Sequence, residues 1–312
     1  MKPKIIYYGT PEFACAGFEA LLDEGYEILA VVTAPDKPAG RGLKPKASDL
    51  KQAALNRGVP VLQPVKLKSP EFIATLEALQ PDLQVIVAFR KLPQVVWALP
   101  KLGTFNLHAS LLPAYRGAAP INWAIINGET QTGVTTFFLN EDIDMGMIID
   151  QKSCEIYPHD NAESLYQRLM HLGAELIVQT VRSIENQTVR PKPQPQIQIS
   201  LAPKIFKNDC LIRLDQTSKK IYDFIRGLSP YPAAWINFYG KTLKVFSSKI
   251  SEKNPTNPVQ EPFFSDGKTF LAAHTLDGAI EFTELQLEGR KKMGVEEFLR
   301  GFKWENRDQN FS

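Results

Sequence analysis

Val85-Ile86-Val87-Ala88 is the stretch that most constrains how this chain can fold. Four consecutive apolar residues without polar alternation describe a strand buried on both faces, the kind found in parallel sheets. Such a sheet needs helices on both sides, and the flanking sequence alternates accordingly. Ile5–Tyr8 and Ile28–Val32 read as further strands, as do Thr104-Phe105-Asn106-Leu107-His108 and the β-rich Thr132–Leu139. Between them, Thr10 can cap a helix whose first position suits Pro11 and whose positive end suits Glu12. Ser69–Leu79 has amphipathic helical spacing. Asp160 and Glu163 resemble a capping box ahead of Leu165, Leu169, Leu172, Leu176 and Ile184. Alternation of this kind over about 185 residues predicts a doubly wound α/β domain, which places ligands at the carboxyl ends of its strands.

The pattern breaks at Arg190-Pro191-Lys192-Pro193-Gln194-Pro195, where alternating prolines favour an extended linker. Beyond it come one helical stretch, Ser218–Leu228, and short β-rich segments at Ala234–Phe238, Thr242–Phe246, Thr269–Ala273 and Ile280–Leu287. Short strands punctuated by Gly240, Gly267, Gly278 and Gly289 predict a small β-barrel. A chain of 312 residues accommodates both domains.

Several functional classes are disfavoured. With 36 basic and 34 acidic residues, the net charge of +2 leaves no polybasic tail as the main feature. Cys15, Cys154 and Cys210 are odd in number and far apart, which argues against a disulfide scaffold. Only four His are present, and His159, His171 and His274 lack companions at metal-ligand spacing, so no metal is expected. Cys15 reads as a core residue of the first helix rather than a nucleophile. Gly9-Thr10-Pro11 lacks the three-glycine dinucleotide spacing. No apolar run approaches the roughly 20 residues of a membrane span. The first residues run straight into a strand, so the expected location is cytoplasmic.

The stretch from Asn106 to Gly146 is the informative one. Asn106 and His108 are two apart, on one face of their strand, and the chain then turns through Pro113 and Gly117. Asp144 lies in a short Asp-x-Asp-x-Gly loop (residues 142–146) after the next strand. A carboxylate beside an imidazole orients the ring and favours its charged form. Asn, His and Asp together can stabilise an oxyanion and move a proton without a covalent nucleophile. Spacing alone also permits a hydrogen-bonded loop His, a turn-forming Asn and a capping Asp.

The run His108-Ala109-Ser110-Leu111-Leu112-Pro113, followed by Tyr115-Arg116-Gly117-Ala118-Ala119-Pro120-Ile121, resembles the signature of the 10-formyltetrahydrofolate-dependent formyltransferases. Three further segments resemble the methionyl-tRNA branch of that family: Gly9 to Ala14, Pro35 to Gly42, and Leu285 to Met293. The resemblance implies a Rossmann-like doubly wound formyltransferase domain over residues 1–189, a Pro-rich linker over 190–206, and an OB-like β-barrel, tRNA-binding domain over 207–312. It implies Asn106, His108 and Asp144 as catalytic residues and Ser110, Leu111, Leu112 and Pro113 as the folate contact. The implied substrates are 10-formyltetrahydrofolate and initiator methionyl-tRNA, the implied role is in translation initiation, and the enzyme is expected to be monomeric. The chain departs from the family pattern at Phe89-Arg90, where an aromatic and a glycine are common, and at Ala114, where Arg is frequent.

Lys37, Arg41, Lys44 and Lys46 face a single acid over residues 36–46, a local charge of +3 that suits phosphate. Prolines 35, 38 and 45 with glycines 40 and 42 describe an extended, mobile loop, which the resemblance implies faces tRNA. The linker cations and Arg290-Lys291-Lys292 are weaker signals of the same kind. Three rival readings are an amino-sugar formyltransferase, a purine formyltransferase, and a non-catalytic tRNA-binding protein. The first should lack the basic loop, the second is a shorter chain, and the third would not need Asn106, His108 and Asp144 together.

Overall fold

The computed structural model describes residues 2–39, 44–195, 200–253 and 261–302. The chain begins β1 (Ile5–Gly9), α1 (Phe13–Asp23), β2 (Ile28–Val32), β3 (Lys37–Ala39), β4 (Lys44–Lys46), α2 (Asp49–Asn56), β5 (Val61–Leu62), α3 (Pro70–Leu79), β6 (Leu83–Val87) and α4 (Gln94–Trp97). It continues through β7 (Thr104–His108), β8 (Arg116–Gly117), α5 (Pro120–Ile126), β9 (Gln131–Phe138), β10 (Ile148–Glu155), α6 (Ala162–Glu185) and β11 (Leu201–Ala202). The remainder is α7 (Ser218–Leu228), β12 (Ala234–Phe238), β13 (Lys241–Ile250), β14 (Phe263–Ser265), β15 (Leu271–His274), β16 (Ala279–Leu287), β17 (Met293–Gly294) and α8 (Val295–Arg300).

A seven-stranded sheet of order β10-β9-β7-β6-β1-β2-β5 organises the first part. It is parallel from β5 to β7, and β9 and β10 add antiparallel strands beside β7. Every residue of β1 and β6 is buried, as a strand covered on both faces requires. Alternate side chains of β1 serve opposite cores. Tyr7 packs on Phe18 of α1 and donates its hydroxyl to the Ala14 carbonyl. Tyr8 points the other way, into a cluster with Phe72 and Leu76 of α3. The chain leaves β1 toward β2 and β5 and returns to β6 on the other flank, so the strand order reverses between β1 and β6. That reversal opens a crevice at the strands' carboxyl ends.

Two helix starts differ from the sequence reading. Thr10 does not cap α1; the N-cap is Glu12, and its N–H is taken by Asp49 Oδ2 at 3.1 Å. A carboxylate 37 residues away supplies the acceptor expected from Thr10. The box ahead of α6 sits one residue later than Asp160/Glu163. The Asn161 side chain accepts Ser164 N–H and the Ser164 hydroxyl accepts Asn161 N–H. Asp160 instead accepts the Tyr157 N–H and the Ser164 hydroxyl.

The described chain divides into two compact units. The first comprises Met1–Gly117, Gln131–Glu155 and Tyr166–Ala202, and the second takes Ala118–Thr130 and Ile156–Leu165 along with Pro203–Ser312. The second unit therefore owns α5 and the start of α6. Its antiparallel sheet runs β12-β13-β16-β15-β14, with β17 on β16. Four strand steps separate β12 from β14, about 19 Å in a flat sheet. Yet the rings of Phe238 and Phe263, one from each of these strands, lie 4.9 Å apart. The sheet is curled into a half-barrel whose two edges meet through aromatic rings. Ile221, Ile225 and Leu228 of α7 fill its interior at helical spacing with Phe298 and Phe302.

Candidate active site

Strand β7 delivers Asn106 and His108 to the carboxyl-terminal edge of the sheet, where its neighbours are β6 and β9. The following loop returns so that the Tyr115 carbonyl lies 2.8 Å from His108 Nε2. A carbonyl only accepts, so Nε2 carries a proton and donates it there. Nδ1 then faces Asp144 Oδ2 across 4.0 Å, longer than a hydrogen bond. Both side chains are largely shielded, at 8% and 13% exposure, so the field between them is weakly screened by solvent. Asp144 Oδ2 also accepts the Gly117 N–H at 3.1 Å, which ties the Asp-x-Asp-x-Gly loop to the Tyr115-Arg116-Gly117 turn. The structure thus brings Asn106, His108 and Asp144 into one locality at a strand end. Asn106 Oδ1 is buried with no hydrogen-bond partner in the protein. An orphaned polar atom of this kind costs free energy unless a ligand engages it.

The backbone here is unusual. Ala88, Tyr115 and Asp144 all adopt positive φ, at 49°, 59° and 54°. Asp tolerates this region and Ala and Tyr do so at a cost, a pattern that collects at functional sites. Gly146 is required by proximity: a Cβ there would overlap the Phe138 carbonyl.

The Ser110–Pro113 segment is held from beneath. Thr135 Oγ1 donates to Ser110 O at 2.6 Å and accepts Leu112 N–H at 3.1 Å. Gln151 Nε2 donates to Leu112 O at 3.0 Å and to Thr135 Oγ1 at 2.8 Å. The Ser110 hydroxyl is engaged with Ala114 O, and Leu112 and Pro113 are buried, leaving Leu111 half-buried. Thr135 and Gln151 were not singled out by the sequence. They oppose each other in the β9–β10 register, Thr135 on an inner strand and Gln151 on the edge strand. Arg90, at the departure from the family pattern, donates to the carbonyls of Pro64 and Val65 and so staples the loop after β5.

The described ends of the basic segment pair as an antiparallel ribbon, with Lys37 opposite Lys46 and Ala39 opposite Lys44 in backbone register. Arg41 lies outside the described residues. The one acid of the segment, Asp36, is bound by Lys51 at 2.7 Å and by Gln63, whose hydrogen bonds hold its carboxyl below the usual range. Lys291 and Lys292 pair with Glu297 and Glu284, which weakens the phosphate reading of that cluster. Burial pushes the Cys15 thiol up to about 11, with Asp49, Glu12 and Glu19 adding to it, so it is a poor nucleophile near neutrality. Among the described residues, no group of three or more His, Cys, Asp or Glu is placed to hold a metal.

The formyl transferase family matches residues 1–181, and its C-terminal domain matches residues 204–303. The chain belongs to the formyl transferase family. A relative from Bacteroides fragilis named methionyl-tRNA formyltransferase is 50% identical over 310 residues, covering 96% of this chain and 95% of the relative. Among solved structures, methionyl-tRNA formyltransferase from Clostridium thermocellum is 16% identical with a TM-score of 0.57, over 81% of this chain and 95% of that one. WlaRD, a sugar 3N-formyl transferase solved with dTdp and 5-N-formyl-THF, is 21% identical with a TM-score of 0.67, over 93% of this chain and 100% of that one. At such identities these two structures share the fold with this formyl transferase and say nothing of its acceptor.

Proposed function

We infer that the protein transfers a formyl group from 10-formyltetrahydrofolate to the α-amino group of methionyl-tRNA, giving N-formylmethionyl-tRNA for translation initiation. The observation that carries this reading is near full-length identity of 50% to a methionyl-tRNA formyltransferase, across both family domains. We further propose the initiator tRNA as acceptor, residues 1–189 as the catalytic domain, 190–206 as linker and 207–312 as a tRNA-binding domain. A monomer in the cytoplasm is the proposed working form. No helix is long and apolar enough to cross a membrane among the described residues.

In the proposed reaction the neutral amine attacks the formyl carbon, forming a C–N bond and a tetrahedral oxyanion. Collapse breaks the bond from that carbon to the folate nitrogen, which takes up a proton as the amine loses one. His108 supplies the donor: with Nε2–H held by Tyr115, Nδ1 beside Asp144 carries the proton lost by the amine, donates it to the oxyanion and passes it to the departing folate nitrogen. Asn106 adds a second polar contact, its orphaned amide oxygen accepting from the incoming amine; turned over, the amide donates to the oxyanion. Folate lies along Ser110, Leu111, Leu112 and Pro113, and tRNA phosphate meets Lys37, Arg41, Lys44 and Lys46. Purified protein supplied with 10-formyltetrahydrofolate and charged methionyl-tRNA should yield formyl-methionine after deacylation. Formylation of a nucleotide-linked amino sugar in preference to methionyl-tRNA would replace this reading with the sugar one.

A further inference from the structure

The proline-alternating segment is spacing by sequence, but in the structure it is laid against the catalytic loop. Lys192 exchanges both backbone hydrogen bonds with Ile148, each 2.8 Å. Ser200 O accepts the Arg116 N–H, and β11 pairs in parallel with β8. A Cβ on Gly117 would come within 2.5 Å of the Ala202 carbonyl, so this docking requires a glycine in the motif.

Gln194 is the centre of the arrangement. Its Nε2 donates to the carbonyls of Asp144 and Gly146, both at 2.9 Å. Its Oε1 accepts from Arg116 Nε at 3.1 Å and from Nη2. An amide offers two donors and two acceptor sites, and all four are used. The two carbonyls bracket Met145 and belong to the loop in which Asp144 holds positive φ, a conformation that persists only when its surroundings over-determine it.

We propose that Gln194, carried by the linker rather than by the catalytic sheet, is a positioning residue for formyl transfer: it clamps the Asp144 loop to Arg116 and so sets the Asp144 carboxylate against His108. This inference rests on the proposed role of Asp144. Gln194→Glu preserves the shape and removes both donors to the loop carbonyls. Gln194→Ala removes the clamp. Misplacement of a reacting group by about 1 Å costs on the order of 100-fold.

The test is steady-state kinetics on full-length protein, with circular dichroism and melting to verify folding. Both variants should lose roughly 10–100-fold in kcat, with KM for 10-formyltetrahydrofolate within about twofold of wild type. Placed in an Asp144→Asn background, Gln194→Glu should cost little more, because a residue acting through Asp144 has nothing left to position. Wild-type kcat in Gln194→Glu, or losses that multiply in the double variant, would overturn the inference. Should Gln194→Ala fail to fold, Gln194→Glu and the double variant still decide. If Asp144→Asn alone kept full activity, the reading of Asp144 would fail; if only the Gln194 variants did, that reading would stand and the clamp would not.

Discussion

The two units solve opposite problems. In the first, three residues at positive φ that end neither a helix nor a hairpin, Ala88, Tyr115 and Asp144, crowd the strand ends. Side chain to backbone hydrogen bonds from Thr135, Gln151 and Gln194 tie the loops there. In the second, Tyr239 with Gly240 forms the two-residue turn of the β12–β13 hairpin, where positive φ is the ordinary geometry, and Ala233 at 73°, just before β12, is the other non-glycine case among the described residues. Cohesion in that unit comes from rings: Phe238 lies 4.9 Å from Phe263, 5.4 Å from Phe302 and 6.1 Å from Phe298. Polar ties hold the strand-end loops of the first unit, and apolar closure holds the second. Damage should divide accordingly, into turnover for the first unit and stability for the second.

The largest expected effect falls on the scaffold. Phe238→Ala should destabilise the half-barrel by about 3–5 kcal/mol, because it deletes the ring that joins the sheet edges. Denaturant melts followed by tryptophan fluorescence would measure it; a change under about 1 kcal/mol would show that rings do not close the half-barrel. Next come His108→Ala and Asp144→Asn. Each should melt as the wild type does and lose roughly 10²–10³ in kcat, the scale of one preorganised donor. If both kept more than about half the rate, the chemistry would lie elsewhere.

Arg41→Ala should raise KM for methionyl-tRNA roughly 10-fold, the scale of a charge-assisted hydrogen bond, with folate kinetics unchanged. Arg41→Lys should recover most of this if the contact is a plain phosphate charge and only part if it is a bidentate fork. The effect should shrink as salt rises. Unchanged tRNA kinetics at low salt would make the ribbon an ordinary solvated surface. The smallest effect concerns His274, which burial beside Phe264 holds below the ordinary imidazole value of about 6.5. The unfolded chain takes up that proton more readily, so the associated stability is whole above the unfolded value and is lost as pH falls through it. Between pH 7 and 5 the melting point of His274→Phe should fall less than that of the wild type; parallel curves would exclude His274 as the cause.

Elements with strong local signals read cleanly. Ile28–Val32, Thr104–His108, Ser218–Leu228 and Ala234–Phe238 occupy the spans their apolar patterns predict. Asn106, His108 and Asp144 were candidates through the resemblance of the 108–121 run to a known family; spacing alone also allowed a loop His, a turn-forming Asn and a capping Asp. The capping of α1 was not, since Asp49 reaches Glu12 from another helix. The pairing of Lys37 with Lys46 was hidden by prolines that suggest an open loop. Gln194 was least legible of all, a polar residue between prolines whose three partner residues lie 48 to 78 residues away.

By itself, the sequence determined the alternation of strands and helices, the change of architecture after residue 190, and the residue types available for formyl transfer. These follow from periodicity and backbone preference, which act over a few residues. Tertiary structure alone decided which nitrogen of His108 faces Asp144, what holds Asp144 at positive φ, and that the linker is part of that support. Those outcomes depend on carbonyls and side chains meeting across dozens of residues. No local preference encodes such meetings, because a hydrogen bond between distant groups forms only once the sheet has set their separation.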